Sequence, residues 1–462
     1  MNVLKYPNVE INKLINGYIE PYTDGKELVL SKYCTVNKEA DHIEIFNSLN
    51  QSIVSMSNDE YENMLTYNVR YPILYKYLFI HTKDFDIEKL GKIVREHNHS
   101  KQAPIDYKHV RSYVIFTTML CNARCFYCYE SHMKKGHMSL ETANKIPDFI
   151  EKKWNKKDAV HITWMGGEPL FNEKIIDTIT SGLKKKNIPF TTKMFTNGYL
   201  FSEDKVDKYI NDWHLKRVQI TLDGTKEIYN KTKSYIYKNN IDPFEKVINN
   251  IKLLSQNGIK INIRLNIGSH NGDDLINLNQ YLQDIKNKNI SIYAHLLFSD
   301  SDGGEFTEKE RKQLLSNVDR INDLNNKTGC DTSVIGYRDK VCMADNGRTL
   351  LISYDGHLGL CDHFSDTDFL GTIDNPDYNQ EIIQSYRKYV NMDKCKDCFI
   401  YPNCKRIEKC IGSKDFCLDT NLEFVKNSLK KYMHNLYVND KKKREKIRKQ
   451  YEEHPEHFEV KK

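Results

Sequence analysis

The sequence predicts an α/β fold: a parallel sheet of six β-then-α units, with a smaller module before it and a cysteine-rich segment after it. Three observations carry that prediction. From about residue 110, β-rich apolar runs alternate with amphipathic helical patterns, and repeated βα units imply parallel strands with right-handed crossovers. The chemistry-bearing motifs fall where these strands end, the face on which barrel enzymes place their chemistry. Of twelve cysteines, three lie at 121–128 and seven at 342–417, leaving only Cys34 and Cys330 apart.

The chain has 462 residues, 39% hydrophobic and 29% charged, enough for two or three folded domains and not the composition of a disordered chain. It has no apolar run of membrane-spanning length, and Met1-Asn2-Val3-Leu4-Lys5-Tyr6-Pro7 has no secretory apolar region. A cytoplasmic protein without a membrane partner is expected. In that compartment, clustered cysteines argue for metal rather than disulfides. Cys34, standing alone, reads as a small buried hydrophobe.

Residues 1–105 form a first unit. Candidate strands His42 to Phe46 and Ser52 to Met56 flank the turn-rich Asn47-Ser48-Leu49-Asn50. Ser57 with Glu60 reads as a capping box. A helix is expected from about Asp86 to Glu96, with Ile87, Leu90, Ile93 and Val94 on one face. One hairpin plus small helices suggests a winged-helix-like module, with a structural cap on the next domain as the alternative.

The repeating units occupy 106–300. Their expected strands are Tyr113 to Thr118, Ala159 to Trp164, Phe190 to Phe195, Arg217 to Leu222, Lys260 to Asn266 and Ile290 to Phe298. Ser139 opens the first intervening helix. A linker with one helix follows over 301–340, then the cysteine-rich segment 341–420 and a charged helical tail, 421–462. The net charge is +6, and the tail holds 12 Lys/Arg against 7 Asp/Glu. The run Lys441 to Lys449 reads as a solvated helix face, and no nucleic-acid partner is expected.

The first strand delivers Cys121-Asn122-Ala123-Arg124-Cys125-Phe126-Tyr127-Cys128, spaced C-x3-C-x2-C. Three thiolates on one loop can hold three corners of a cubane iron–sulfur cluster and leave the fourth iron open. Zinc is the competing reading, but zinc sites favour paired C-x2-C units and a closed tetrahedron. The second strand ends in Gly166-Gly167-Glu168-Pro169 and the fourth in Thr221-Leu222-Asp223-Gly224. Together these motifs resemble the radical S-adenosylmethionine (radical SAM) enzymes, and the six units resemble that family's partial (β/α)6 barrel.

The resemblance implies S-adenosyl-L-methionine on the open iron of a 4Fe-4S cluster held by Cys121, Cys125 and Cys128. One-electron cleavage of the bound cofactor then yields a 5′-deoxyadenosyl radical that abstracts hydrogen. Gly166, Gly167, Glu168 and Pro169 match the family's GGEP motif. The glycines would let backbone approach the methionyl end, and Glu168 would accept from its ammonium group. Tyr127 matches an aromatic near the adenine, with loop packing as the alternative, and Thr221 matches a cofactor-contacting Ser/Thr. Relatives often place an Arg for the cofactor carboxylate after this motif. Lys233 stands in that region and could offer only a point charge.

The second set resembles the SPASM domain, which carries two auxiliary 4Fe-4S clusters, making three clusters in all. By motif position Cys395, Cys398, Cys404 and Cys417 would close one cluster. Cys342, Cys361 and Cys410 would hold the other with three thiolates, leaving an open iron or a fourth ligand from Cys330. The five-residue gap from Cys404 to Cys410 is longer than usual in that domain. A structural zinc ribbon is the alternative. Asp362, after Cys361, matches a candidate general base in relatives that oxidise sulfatase side chains; a partner to the cluster or a turn residue is the alternative.

The combined reading is an enzyme that oxidatively cross-links a ribosomally made precursor peptide, by a thioether or another side-chain bond. The peptide would be held by the N-terminal unit, which resembles the recognition module of peptide-modifying relatives. A reductant such as flavodoxin or ferredoxin would supply the electron. Sulfatase maturation, peptide epimerisation and simple electron carriage are the rival readings.

Overall fold

The computed structural model describes residues 1–22, 25–65, 72–100, 105, 107–237, 240–298, 305–325, 342–363 and 368–453. Cys330 and the segment Ser299 to Gly304 lie outside the described residues, as does most of the expected linker beyond its helix, Glu308–Leu324.

The N-terminal unit contains β1 (Asn2–Lys5), β2 (Leu28–Leu30), β3 (Cys34–Lys38), β4 (Ile43–Asn47), β5 (Ser52–Met56) and β6 (Ile80–Thr82). The expected hairpin is β4–β5, and Ser57 and Glu60 form the expected capping box. The hairpin is the centre of a wider antiparallel sheet, ordered β1-β5-β4-β3, with β2 and β6 paired separately. β1 joins the sheet by pairing with β5, about fifty residues later in the chain. The expected helix forms over Ile87–Ser100.

The sheet presents opposite faces because side chains alternate along a strand. Ile43 and Ile45 pack with Val54 and Met56 into one cluster. Phe46 and Ile53 face the other way and pack with Ile400 and with Val425, Leu429 and Met433 of the tail helix, Asp419–Glu453. The tail is therefore anchored by its first turns, whereas Lys441 to Lys449 are exposed as expected.

All six expected strands of the repeating units form: β7 (Ser112–Phe116), β8 (Val160–Met165), β9 (Phe190–Thr196), β10 (Leu215–Leu222), β11 (Lys260–Ile267) and β12 (Ile290–Leu296). Neighbours run parallel in sequence order. In β11 the buried Ile261, Ile263, Leu265 and Ile267 alternate with partly open Asn262 and Arg264. The apolar face packs on the outer helices, and the more polar face lines the inside of the curved sheet. Ser139 caps the helix Leu140–Lys153 by accepting from the Thr142 N–H.

The sheet does not stop at β7. From the cysteine-rich segment, β13 (Thr349–Ile352) pairs parallel with β7, and β14 (Leu358–Gly359) pairs antiparallel with β13. The segment read as a separate domain thus begins as an extension of the main sheet. Among the described residues no helix is long and apolar enough to cross a membrane.

Candidate active site at the strand ends

The first cysteine loop follows β7 directly. All eleven described cysteines are free of disulfides. Burial pushes the Cys121 thiol up to about 12 and the Cys128 thiol up to about 11, and raises Cys125 as well. Buried neutral thiols aimed together suit a soft metal, which would deprotonate them. The Ala123 N–H points at Cys121 Sγ from 3.4 Å, and Asn197 Nδ2 lies 3.8 Å from the same sulfur. Asn197 also donates to Asn122 Oδ1 at 2.7 Å. The donor set fits the cluster expected there.

The GGEP turn packs against the entrance to this loop. Gly166 has φ +88°, and a side chain on it would meet the Thr118 carbonyl at 2.5 Å. A Cβ on Gly167 would stand 2.2 Å from the Leu120 carbonyl oxygen. The Glu168 N–H donates to that carbonyl at 3.0 Å. The glycines were expected for their approach to a cofactor; backbone-to-backbone packing against the cysteine loop already requires them. Pro169 opens the short 3-10 turn that Glu168 caps through the Leu170 N–H.

Glu168 is fully buried. Its carboxylate accepts from Thr196 Oγ1 at 2.8 and 2.9 Å and from the Asn197 N–H at 2.8 Å. Desolvation pushes its pKa up to about 7, against these hydrogen bonds. It therefore ties the end of β8 to the end of β9 and so positions Asn197 beside Cys121. Glu130, two residues after Cys128, is also buried, and desolvation raises it to about 7.

Lys233 is the residue that the sequence offers as a point charge for a cofactor carboxylate. Its ammonium lies 2.8 Å from Asp223 Oδ2, and both side chains are almost wholly buried. It also donates to Thr221 Oγ1 at 2.8 Å and to Tyr127 OH at 3.1 Å. Lys233 thus makes two hydrogen bonds and one close ion pair. Tyr127 OH in turn donates to Asp223 Oδ1 at 2.5 Å, which also receives Asn266 Nδ2 at 3.1 Å. Tyr127 and Thr221 are thus brought together at the ends of β10 and β11, held by a buried ion pair. Nothing in the local sequence marks Asp223 and Asn266 as the partners.

The later cysteines gather into two groups. Cys361 lies close enough to Cys342 and Cys410 for each to raise its pKa, after the larger effect of burial. Cys398 and Cys417 each feel Cys404 and Cys395 in the same way. The N-terminal unit clasps the second group. Arg95 donates to the Cys404 and Val390 carbonyls, both at 2.5 Å, and Ser48 Oγ donates to the Tyr401 carbonyl at 2.7 Å. Asn403 returns hydrogen bonds to the Ser48 and Leu49 carbonyls. The turn expected as a simple linker between strands is thus a docking element.

The Cys361-Asp362-His363 stretch folds over the first loop. The His363 ring stacks on Tyr129 with centroids 4.2 Å apart and planes at 18°. Tyr129 immediately follows Cys128. Asp362 adds its charge to the surroundings of both Tyr129 and Glu130. The candidate base and the three-cysteine group that contains Cys361 therefore stand at the same end of the sheet as Cys128, a closeness that the sequence did not reveal.

Residues 115–282 match the family described as the Radical SAM superfamily. Over those residues the chain is similar to radical SAM proteins. A probable GTP 3′,8-cyclase of Methanocaldococcus jannaschii is 30% identical over 185 residues, which cover 38% of this chain and 57% of the relative. A protein of the same description from Methanococcus maripaludis is 31% identical over 119 residues, covering 25% of this chain and 37% of that one. The chain thus spans about half or less of the length of these curated relatives. Among solved structures, anSMEcpe with bound AdoMet superposes with TM-score 0.55 at 20% identity, covering 71% of this chain and 98% of that one. Streptococcus suis SuiB bound to its precursor peptide SuiA gives 0.50 at 13% identity, covering 84% and 97%. These likenesses support the α/β radical SAM fold with its parallel sheet.

Proposed function

We propose that the protein is a radical SAM enzyme that oxidatively cross-links a ribosomally made precursor peptide. The observation that carries the reading is the Tyr129–His363 stack, which puts the Cys342, Cys361 and Cys410 group beside the first cysteine loop. A site for generating a radical and a site for taking an electron or a substrate thiolate would then share one mouth. SuiB with its precursor peptide, and anSMEcpe with bound AdoMet and a Kp18Cys peptide, are neighbours in fold.

In this reading Cys121, Cys125 and Cys128 hold the cluster that binds S-adenosylmethionine. Bound there, cofactor and cluster supply a 5′-deoxyadenosyl radical. Glu168, Gly166, Gly167 and Pro169 set the floor of the site, Tyr127 and Thr221 its far wall, and Lys233 with Asp223 holds that wall. Cys395, Cys398, Cys404 and Cys417 form a closed auxiliary set as in a SPASM domain, and Cys342, Cys361 and Cys410 a three-thiolate one to which Cys330 is a candidate fourth ligand. Asp362 accepts the substrate proton. The N-terminal unit, winged-helix-like in the sequence reading, holds the peptide and is already fastened to the auxiliary set through Arg95. A flavodoxin or ferredoxin in the cytoplasm supplies the electron.

The test is anaerobic co-expression with small open reading frames beside the gene, followed by mass spectrometry, with GTP offered separately as a control substrate. Peptide lighter by two hydrogens per event is expected, with 5′-deoxyadenosine formed alongside. No cleavage of S-adenosylmethionine by the reduced protein sinks the enzyme reading. Cleavage without any modified peptide sinks the peptide claim. Formylglycine in a sulfatase peptide would favour the maturase alternative, for which Asp362 beside Cys361 is the motivating feature.

A further inference from the structure

We propose that His42, Glu44 and His434 form a site for a divalent transition metal of the zinc class, closing the tail helix onto the N-terminal sheet. The site uses none of the cysteines. Glu44 in β4 shares the face of Phe46, the face covered by the tail helix, and His42 just before the strand reaches Glu44 from 2.7 Å. The tail supplies His434, the residue directly after its buried anchor Met433.

Glu44 is fully buried. Its Oε2 accepts from Asn37 Nδ2 at 2.6 Å, from the residue paired with it across β3. Its Oε1 lies 2.7 Å from His42 Nε2 and 3.4 Å from His434 Nδ1. Neither a lysine nor an arginine is among these partners, although a buried carboxylate needs a compensating cation. His42 also has a carboxylate at its other ring nitrogen, with Asp41 Oδ1 2.6 Å from Nδ1. A neutral imidazole has one N–H and can satisfy only one of the two. His434 Nδ1 is buried and makes no hydrogen bond among the described residues.

A metal ion resolves all of this at once. Donation from His42 Nδ1 to Asp41 fixes the tautomer and leaves the Nε2 lone pair facing Glu44, the arrangement in which a carboxylate orients a metal-binding histidine. The three ligand atoms lie within 4.8 Å of one another. The two separations from Glu44 Oε1, 2.7 and 3.4 Å, bracket the roughly 3.3 Å edge of a tetrahedron with zinc–ligand bonds of about 2.0–2.1 Å. Two imidazoles and one carboxylate form a three-ligand zinc set with a fourth position open to water or to Glu39, whose carboxylate is 3.9 Å from His434 Nδ1. The Tyr437 ring lies flat on His42 at 3.6 Å and covers the site.

The rival arrangement is metal-free, with His42 as an imidazolium bridging Asp41 and Glu44. The full-length protein, purified anaerobically with its clusters and without a histidine tag, is dialysed against a weak chelator, and zinc and iron are counted by mass spectrometry. Zn2+ alone is then titrated back while thermal unfolding is followed. Wild type is expected to take up close to one zinc per chain and to rise in Tm. His434→Ala, whose side chain is half-exposed, and the isosteric Glu44→Gln should keep their iron, lose at least tenfold in zinc affinity and show no rise. Wild type that takes up no zinc at micromolar Zn2+ overturns the proposal in favour of the imidazolium. So does zinc retained in both variants, or zinc that falls only in step with iron.

Discussion

Replacing Lys233 by Met removes one partner from an ion pair whose side chains are 3% and 0% exposed. Asp223 would be left as a buried carboxylate with only Tyr127 OH and Asn266 Nδ2 as donors to Oδ1. Breaking a buried pair in this way costs about 3–5 kcal/mol, a large share of the roughly 5–15 kcal/mol that holds a typical fold. Solvent screening gives no relief at this depth. Adding Asp223→Asn removes the stranded charge and keeps an acceptor for Tyr127, so the two changes should couple by about 2–3 kcal/mol. The assay is urea unfolding of the anaerobic protein for both single variants and the double, alongside S-adenosylmethionine binding by calorimetry. Lys233→Met should be markedly destabilised and the double variant should recover much of the loss. A single variant within about 1 kcal/mol of wild type, with cofactor binding weakened tenfold or more, would refute the structural role and restore the carboxylate contact expected from the sequence.

Four further outcomes are expected. Gly167→Ala should fail to hold iron at the first loop, because its Cβ would meet the Leu120 carbonyl at 2.2 Å and neither backbone can retreat; iron analysis and the yield of 5′-deoxyadenosine check this. Arg95→Met removes charged hydrogen bonds to Cys404 and Val390, worth about 1.5–3 kcal/mol each, and should lower iron at the Cys395, Cys398, Cys404 and Cys417 set while sparing the first loop. Glu168 has a folded pKa of about 7 against an ordinary 4.5. The folded state therefore binds more protons between those values, so stability should fall by roughly 3 kcal/mol as pH rises from about 4.5 to about 7 and level off above. Glu168→Gln should flatten that slope in a pH series of denaturation curves. Finally, Cys361→Ser and Cys398→Ser should each remove about four iron atoms per chain, and the double variant about eight, since the two groups stand apart; equal loss in all three would show a single shared centre.

The six strands were legible because each is a local apolar run bounded by turn residues, and β7 to β12 fall within a few residues of their expected positions. The C-x3-C-x2-C loop was legible from its spacing, and Gly166 to Pro169 from the resemblance to a family motif. β1 and β13 were not, being four-residue strands whose pairing comes from distant chain, with β5 and β7. Thr196-Asn197-Gly198 was legible as a strand end, but Asn197 carried no role because an Asn before a Gly reads first as a turn signal. The carboxyl–imidazole cluster of His42, Glu44 and His434 escaped because its third member is supplied by the tail helix.

The sequence by itself determined the order of βα units and the strand ends that carry motifs. These are local patterns, in which side-chain period and ligand spacing act within a few residues. Tertiary structure alone decided that Lys233 pairs with Asp223 and that His363 stacks on Tyr129. It also decided that Arg95 and Ser48 fasten the first unit to the cysteines near the chain's other end. The physical reason is the same in each case. A buried charge or carbonyl takes the partner that the folded chain brings within reach, and sequence distance carries no record of that choice.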